Sequence, residues 1–257
     1  MLYFLENYGF FNSWLLFSGV IFLRYAIFAG VLFVLFYYLF KRKFQTRKID
    51  RKRLLFGQIR HEMGHSLLSA LIFGVFGVLL AIAWRNGHTK MYLTITDYSY
   101  AYLAFSFAFL VIVHDTYFYW LHRLIHHPRL FTIFHRVHHR FGNPTPWAAL
   151  AFHPLEAIVE ILIVPIIAFL IPLHPIALFA FATWSLLWNV VGHLGYECFP
   201  TGWTEHPIGR WLNTTTHHHQ HHQRANCNYS LYFNWWDRWM GTNAVDYEAQ
   251  FQQMTNQ

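Results

Sequence analysis

The sequence predicts an all-α, integral membrane helical bundle with a cytoplasmic histidine-rich helical cap holding a dinuclear metal site. Three observations carry this expectation. Of 257 residues, 55% are hydrophobic and only 12% are charged, too little charge for an ordinary soluble surface. The apolar residues fall in long blocks able to cross a bilayer. Imidazoles recur at helical spacing in separated segments. His122 and His126 are four apart, and His135, His138 and His139 stand at i, i+3 and i+4. His218, His221 and His222 repeat that pattern near the C-terminus. Imidazoles brought together from separate helices can build a multinuclear metal site.

Residues 10–40 are an apolar block broken by Arg24, long enough to span once, with Trp14, Tyr37 and Tyr38 near the interfaces. The N-terminus lacks a basic stretch and is not expected to be a cleaved signal peptide. Residues 41–60 carry nine of the 19 Lys and Arg. That asymmetry predicts a cytoplasmic loop and an outside N-terminus. It also assigns the net charge of +7 to membrane topology rather than to nucleic-acid binding. Residues 66–84 form a second span, and residues 98–113 lead back into the first histidine cluster. Residues 155–171 and 175–191 are apolar arms joined by Pro172-Leu173-His174-Pro175, predicting a helical hairpin. This topology places His114–His139, His193 and His217–His222 on one membrane face. His174, at the outer tip, is expected to be silent when mutated. The tail, residues 244–257, is polar, and the two cysteines make a disulfide framework unlikely to exist.

Several plainer readings of the histidines fail. Solvated interfacial residues do not explain three clusters at helical spacing. The HHHQHH run is no affinity tag, since Gln220 breaks it and 35 residues follow. A structural zinc site needs only about four ligands, usually including cysteine. His61-Glu62-Met63-Gly64-His65 fits the H-E-x-x-H metalloprotease signature. Gly64 weakens that helix, and a protease would leave the richer clusters unexplained. Imidazole suits iron, zinc or copper, so ligand type leaves the metal open.

The order HDTYFYWLHRLIHHP, HRVHH, AFHPLE, HLGYE, HHxxHH, NYS and WWDRWMGT, over about residues 60–243, resembles the sterol desaturase / fatty acid hydroxylase superfamily. The resemblance implies a non-haem di-iron membrane enzyme that hydroxylates or desaturates a lipid or sterol-like substrate. It would use O2 and an external electron donor such as a cytochrome b5-like or ferredoxin-like protein. Residues 61–243 would be the catalytic domain. Residues 1–60 would supply an N-terminal transmembrane helix and basic cytoplasmic loop, and 244–257 a polar C-terminal tail. Carried over, the metal ligands are His122, His126, His135, His138, His139, His193, His218, His221 and His222, with His127 and His217 as neighbours. Two iron ions are implied, with zinc possible in isolated protein. Where some members have a histidine four residues before the first box, this chain has Phe118, and His114 is the candidate substitute. Glu197, one turn beyond His193, is expected as a ligand or base. Asp115, His153 and Glu156 are expected to orient imidazole N–H groups, or, for His153 and Glu156, to cap a helix. Asp237 is expected to hold the C-terminal segment over the site or to pair with Arg238.

An unactivated C–H bond yields to neither acid nor base, which is why such a reaction needs O2 and a metal. Carotenoid hydroxylation, ether-lipid oxygenation and a catalytically inactive metal-binding protein are the competing outcomes of the same histidine pattern.

Overall fold

The structure, a computed structural model, describes residues 2–256. Among them the chain is all-helical, without strands. Four long helices are apolar enough to cross a membrane: α1 (Leu2–Val34), α2 (Gln58–Arg85), α3 (Tyr100–Ile125) and α7 (Pro175–Gly192). Gly9, at φ 70°, breaks the first turns of α1, so its regular apolar run begins where the sequence placed it.

α1 and α2 pack along most of their lengths. Small residues allow it: a side chain at Gly74 would collide with Ser18, and Gly77 lies against Phe17. The Trp14 indole N–H donates to Leu71 O at 2.8 Å, tying one helix to the main chain of the other. Arg24, inside α1, donates to Thr183 Oγ1 of α7 at 2.8 Å and lies over the Phe179 ring. An ionisable group among the spans is thus partnered by a neighbouring helix.

The predicted hairpin forms with a break. α5 (Pro154–Ile161) and α6 (Ile163–Leu170) meet at Leu162. Pro165 explains this: it has no N–H for the Ile161 carbonyl and its ring crowds that turn. The hairpin tip reaches the end of the bundle remote from the imidazoles. There Tyr92 N donates to Leu173 O at 3.1 Å and Lys90 N to Ala168 O at 3.2 Å. His174 is built into this junction. It caps α7 through the Ile176 N–H, and its Nε2 donates to Leu93 O at 2.8 Å. Its replacement by Ala removes a cap and a hydrogen bond, a stability cost of about 1 kcal/mol, at a position remote from the imidazoles as the sequence suggested.

At the opposite end the basic loop folds onto the histidine-bearing segments. Ile49 N donates to Gly195 O at 3.1 Å and Glu197 N to Arg47 O at 2.9 Å. The Arg47 guanidinium donates to Phe199 O and Thr255 O. α4 (Pro128–Phe134), α8 (Thr215–Arg224), α9 (Trp235–Trp239) and α10 (Tyr247–Thr255) complete this cap. The polar tail is no separate appendage. Tyr247 and Phe251, one turn apart on α10, are buried with Cys227 and Ala244 against α8.

The fold predicts that Lys52 and Gln223, both exposed, lie on one side of the membrane and exposed His88 on the other. With Cys198 and Cys227 replaced by Ser, single cysteines at Lys52 and Gln223 should share one labelling pattern towards an impermeant thiol reagent, opposite to that at His88. Divergence between positions 52 and 223 would contradict the shared face.

Candidate metal centre

Nine imidazoles converge in two adjoining groups. His122, His126, His135, His139 and His221 form one; His138, His193, His218 and His222 form the other. Within each group one ring nitrogen from every residue lies within 4.8 Å of the rest. These are the nine histidines singled out in the sequence. α3 supplies His122 from its last turn and His126 at its C-cap. The Pro128 that follows cannot continue the helix, and α4 restarts with His127 as its N-cap. His135 caps the C-terminus of α4, and His193 that of α7.

One expectation about this geometry is corrected. His135, His138 and His139 do not share a helix face, because α4 ends at Phe134 and His138 opens a 3-10 turn. Neighbouring residues therefore diverge: His138 joins one group and His139 the other. α8 repeats the division, with His221 in the first group and His222 beside His218 in the second. The two dipeptides are hinges between the groups, and the His139 and His222 rings stack at 4.5 Å across the divide.

Hydrogen-bond accounting shows what the groups are built for. His193 Nδ1 donates to Asn189 O at 2.7 Å, His122 Nδ1 to Tyr229 O at 2.7 Å, and His221 Nδ1 to Cys227 O at 2.8 Å. His135 Nδ1 lies 2.5 Å from Glu156 Oε1. Each of these four rings spends its one neutral-state proton on an outer oxygen, so its Nε2 presents a lone pair inward. His193 Nε2 lies 3.0–3.2 Å from the Nε2 atoms of His138, His218 and His222. In the other group the His122–His135 and His139–His221 Nε2 pairs are each 2.9 Å apart. One lone pair cannot be satisfied by three others. A cation satisfies all of them, and nitrogens bound to one metal at about 2.0–2.1 Å lie roughly 3.0–3.4 Å apart. The residues present fit two metal ions.

The electrostatics agree. Burial, then the neighbouring imidazoles, hold His138, His139, His218, His221 and His222 well below the usual histidine range. Burial takes His193 down to about 4, against the hydrogen bond to the Asn189 carbonyl, which raises it, and with a smaller lowering by His219. Neutral imidazole, the ligating form, is therefore the form present at neutral pH.

The other candidates fall into place around the groups. Glu156 orients His135 as expected, whereas His153 only caps α5 through the Leu155 N–H. Glu197 is not on a helix with His193, because α7 ends at Gly192 and Gly195 turns the chain at φ 75°. Fully buried, it accepts from Thr216 N at 2.9 Å and Thr216 Oγ1 at 2.6 Å, fixing the start of the helix that carries three of the imidazoles. Asp115 accepts from Tyr232 N at 2.7 Å; its partner is main chain, not imidazole. His114 bonds the Tyr232 hydroxyl and joins neither group, so it does not replace the missing histidine at Phe118. Asp237 accepts from Tyr229 N and Ser230 N, at 2.8 and 2.9 Å, and holds the strip whose Tyr229 carbonyl orients His122. Arg238 pairs with Glu248 instead. His217 is buried 3.7 Å from Asp237, on the α8 face away from the groups. The H-E-x-x-H residues serve packing: Glu62 binds Gln58 and Thr145, and the His61 and His65 rings pack together outside both groups. The carbonyls of Tyr229, Cys227 and Asn189 were missed, since a main-chain acceptor leaves no mark on residue type.

Comparison with known proteins fits this architecture. The fatty acid hydroxylase family matches residues 107–242, from α3 through α9 and across all nine imidazoles. A Delta(7)-sterol 5(6)-desaturase of Gibberella zeae is 31% identical over 211 residues, 82% of this chain and 62% of that protein. Another, of Aspergillus fumigatus, is 30% identical over 230 residues, covering 82% and 69%. Human lathosterol oxidase is 26% identical over 197 residues, covering 76% and 64%. The chain thus spans roughly two thirds of the length of these relatives, and less of some. No solved structure matches it. With the family matched over more than half of its residues, the chain belongs to the sterol desaturase / fatty acid hydroxylase superfamily.

Proposed function

We propose that this protein is an O2-dependent oxidoreductase that desaturates or hydroxylates a sterol-class membrane lipid at a di-iron centre held by the nine imidazoles. The observation that carries the reading is an apolar cavity of about 240 Å³ between α1, α2, α3, α5, α6 and α7, separated from each imidazole group by one aromatic ring of its wall. Phe118 packs on His122 at 4.9 Å and Phe152 on His138 at 5.3 Å. A lipid can enter such a cavity sideways from the bilayer, and its largely apolar lining suits a largely apolar molecule. The sterol class is suggested by the relatives, whose names are those of sterol 5(6)-desaturases and a lathosterol oxidase.

Bound iron would supply the O2-derived oxidation that an unactivated C–H bond requires. The protein's part is positioning and exclusion. Glu156 and the carbonyls of Asn189, Cys227 and Tyr229 fix the tautomer and tilt of His135, His193, His221 and His122. Glu197 and Asp237 fix the segments that bear them. Phe118 and Phe152 keep the cavity side of the centre apolar, so a bound lipid rather than water occupies the space beside the imidazoles.

The positive charge of the basic loop supports a cytoplasmic face for the centre. Its positive charges, at the imidazole end of the bundle, suit an acidic electron carrier such as a cytochrome b5-like or ferredoxin-like protein. Comparative lipid mass spectrometry of cells with and without the gene tests the function: a sterol-class product should appear only with the gene and in air. An unchanged sterol profile, with a different lipid class altered, would overturn the sterol assignment.

Variants test the residues. Wild-type protein should hold two transition-metal ions per chain, one for each imidazole group. His138→Ala and His221→Ala should each lose metal and all turnover. Glu156→Gln should lower activity or metal affinity by roughly ten- to a hundredfold. His61→Ala and His65→Ala should retain both ions. Elemental analysis with product assay decides; full activity in His138→Ala, or a lost ion in His61→Ala, would contradict this arrangement.

A further inference from the structure

Glu160 lies one turn along α5 from Glu156, and it lines the cavity rather than the metal centre. It is 8% exposed and has no hydrogen-bond partner among the described residues. An unpartnered carboxyl in an apolar wall is costly unless a ligand completes its bonding. Ionisable groups at such depth mark where a ligand's polar part sits.

Beside Arg24 and Asn189, the polar groups of this cavity gather in one place. The fully buried Tyr232 hydroxyl lies 2.9 Å from His114 Nδ1, and Ser185 is its other side-chain neighbour. His114 and Ser185 line the same cavity as Glu160. Four segments thus bring hydroxyl, imidazole and carboxyl groups to one region: α3, α5, α7 and the loop before α9. His114 precedes His122 by eight residues, about 12 Å along the helix, so the His114 side of this region is set back from the imidazole groups, while Glu160 stands one turn from the Glu156 that bonds His135.

Charge selects the ligand class. A carboxylate would meet the Glu160 carboxyl, and Arg24, the cation on this cavity, is already bonded to Thr183. A cationic amine would share the cavity with the Arg24 guanidinium. A neutral hydroxyl, both donor and acceptor, matches every polar group present. We propose that Glu160, with His114 and Ser185 around the Tyr232 hydroxyl, recognises the free hydroxyl of a membrane-soluble alcohol and anchors the substrate's polar end away from the carbon that is oxidised. The inference rests on this cavity being the substrate cavity of the proposed oxygenase.

The test is equilibrium binding to purified, metal-loaded protein without reductant, so that no turnover occurs. The probes are lathosterol and hexadecanol, the methyl ether of each, and palmitate. At least one alcohol should bind about tenfold more tightly than its ether. Glu160→Leu should remove that difference while leaving ether affinity, melting temperature and metal content unchanged. Glu160→Gln, which keeps hydrogen-bonding capacity, should preserve it, and Ser185→Ala should weaken it if the Leu variant fails to fold. Equal binding of alcohol and ether in both pairs, or palmitate binding more tightly than hexadecanol, would overturn the proposal. A preference in the hexadecanol pair alone would support the hydroxyl site and overturn only the sterol reading.

Discussion

Lone pairs facing lone pairs are the constraint around which the cap is organised. His122, His135, His193 and His221 each commit their proton to an outer oxygen, so His122 and His135 face each other lone pair to lone pair at 2.9 Å, and His193 Nε2 offers one lone pair to three crowded ring nitrogens. Without a cation that arrangement is repulsive, and burial removes the water that would relieve it. Much of the surrounding structure resists its relaxation. Glu197 pins the first turn of α8, Asp237 pins the strip at Tyr229 and Ser230, and Arg47 ties the loop at Phe199 to the end of α10. The C-terminal helix buries Tyr247 and Phe251 against the outer face of α8. These are devices for holding charge-free donors in a fixed geometry before any ion arrives.

The membrane bundle serves the same centre from below. Its helices end at the imidazoles: α3 at His122 and His126, α7 at His193. At the end of α7 the Asn189 carbonyl accepts both the backbone N–H of the capping His193 and its ring Nδ1–H, which fixes the ring's orientation. The break at Leu162 lets α5 present Glu156 to His135 and Glu160 to the cavity within one turn. One short helix therefore serves both the metal side and the ligand side, and the apolar cavity is bounded by the rings that pack on His122 and His138.

The spans, the basic loop and the nine imidazoles were legible in sequence because each rests on residue type at a spacing. The division of the imidazoles was not. It depends on α4 stopping at Phe134, which sends His138 and His139 to opposite groups, and on adjacent positions of α8 pointing about 100° apart, which does the same for His221 and His222. Helical periodicity alone assigned His135, His138 and His139 to one face. Glu197 was misplaced for the same reason: Gly195 ends the regular periodicity after His193. Asp115 and Asp237 carry carboxyls yet serve main-chain N–H groups, a use that spacing does not reveal. The tail was read as polar because Tyr247 and Phe251 are few, although their one-turn separation was the available signal.

The central claim is that two metal ions sit side by side, one in each imidazole group. Anomalous diffraction from crystals of the metal-loaded protein measures this directly. Two peaks are expected, one among His122, His126, His135, His139 and His221, the other among His138, His193, His218 and His222. A single peak, or a peak at His61 and His65, would contradict it.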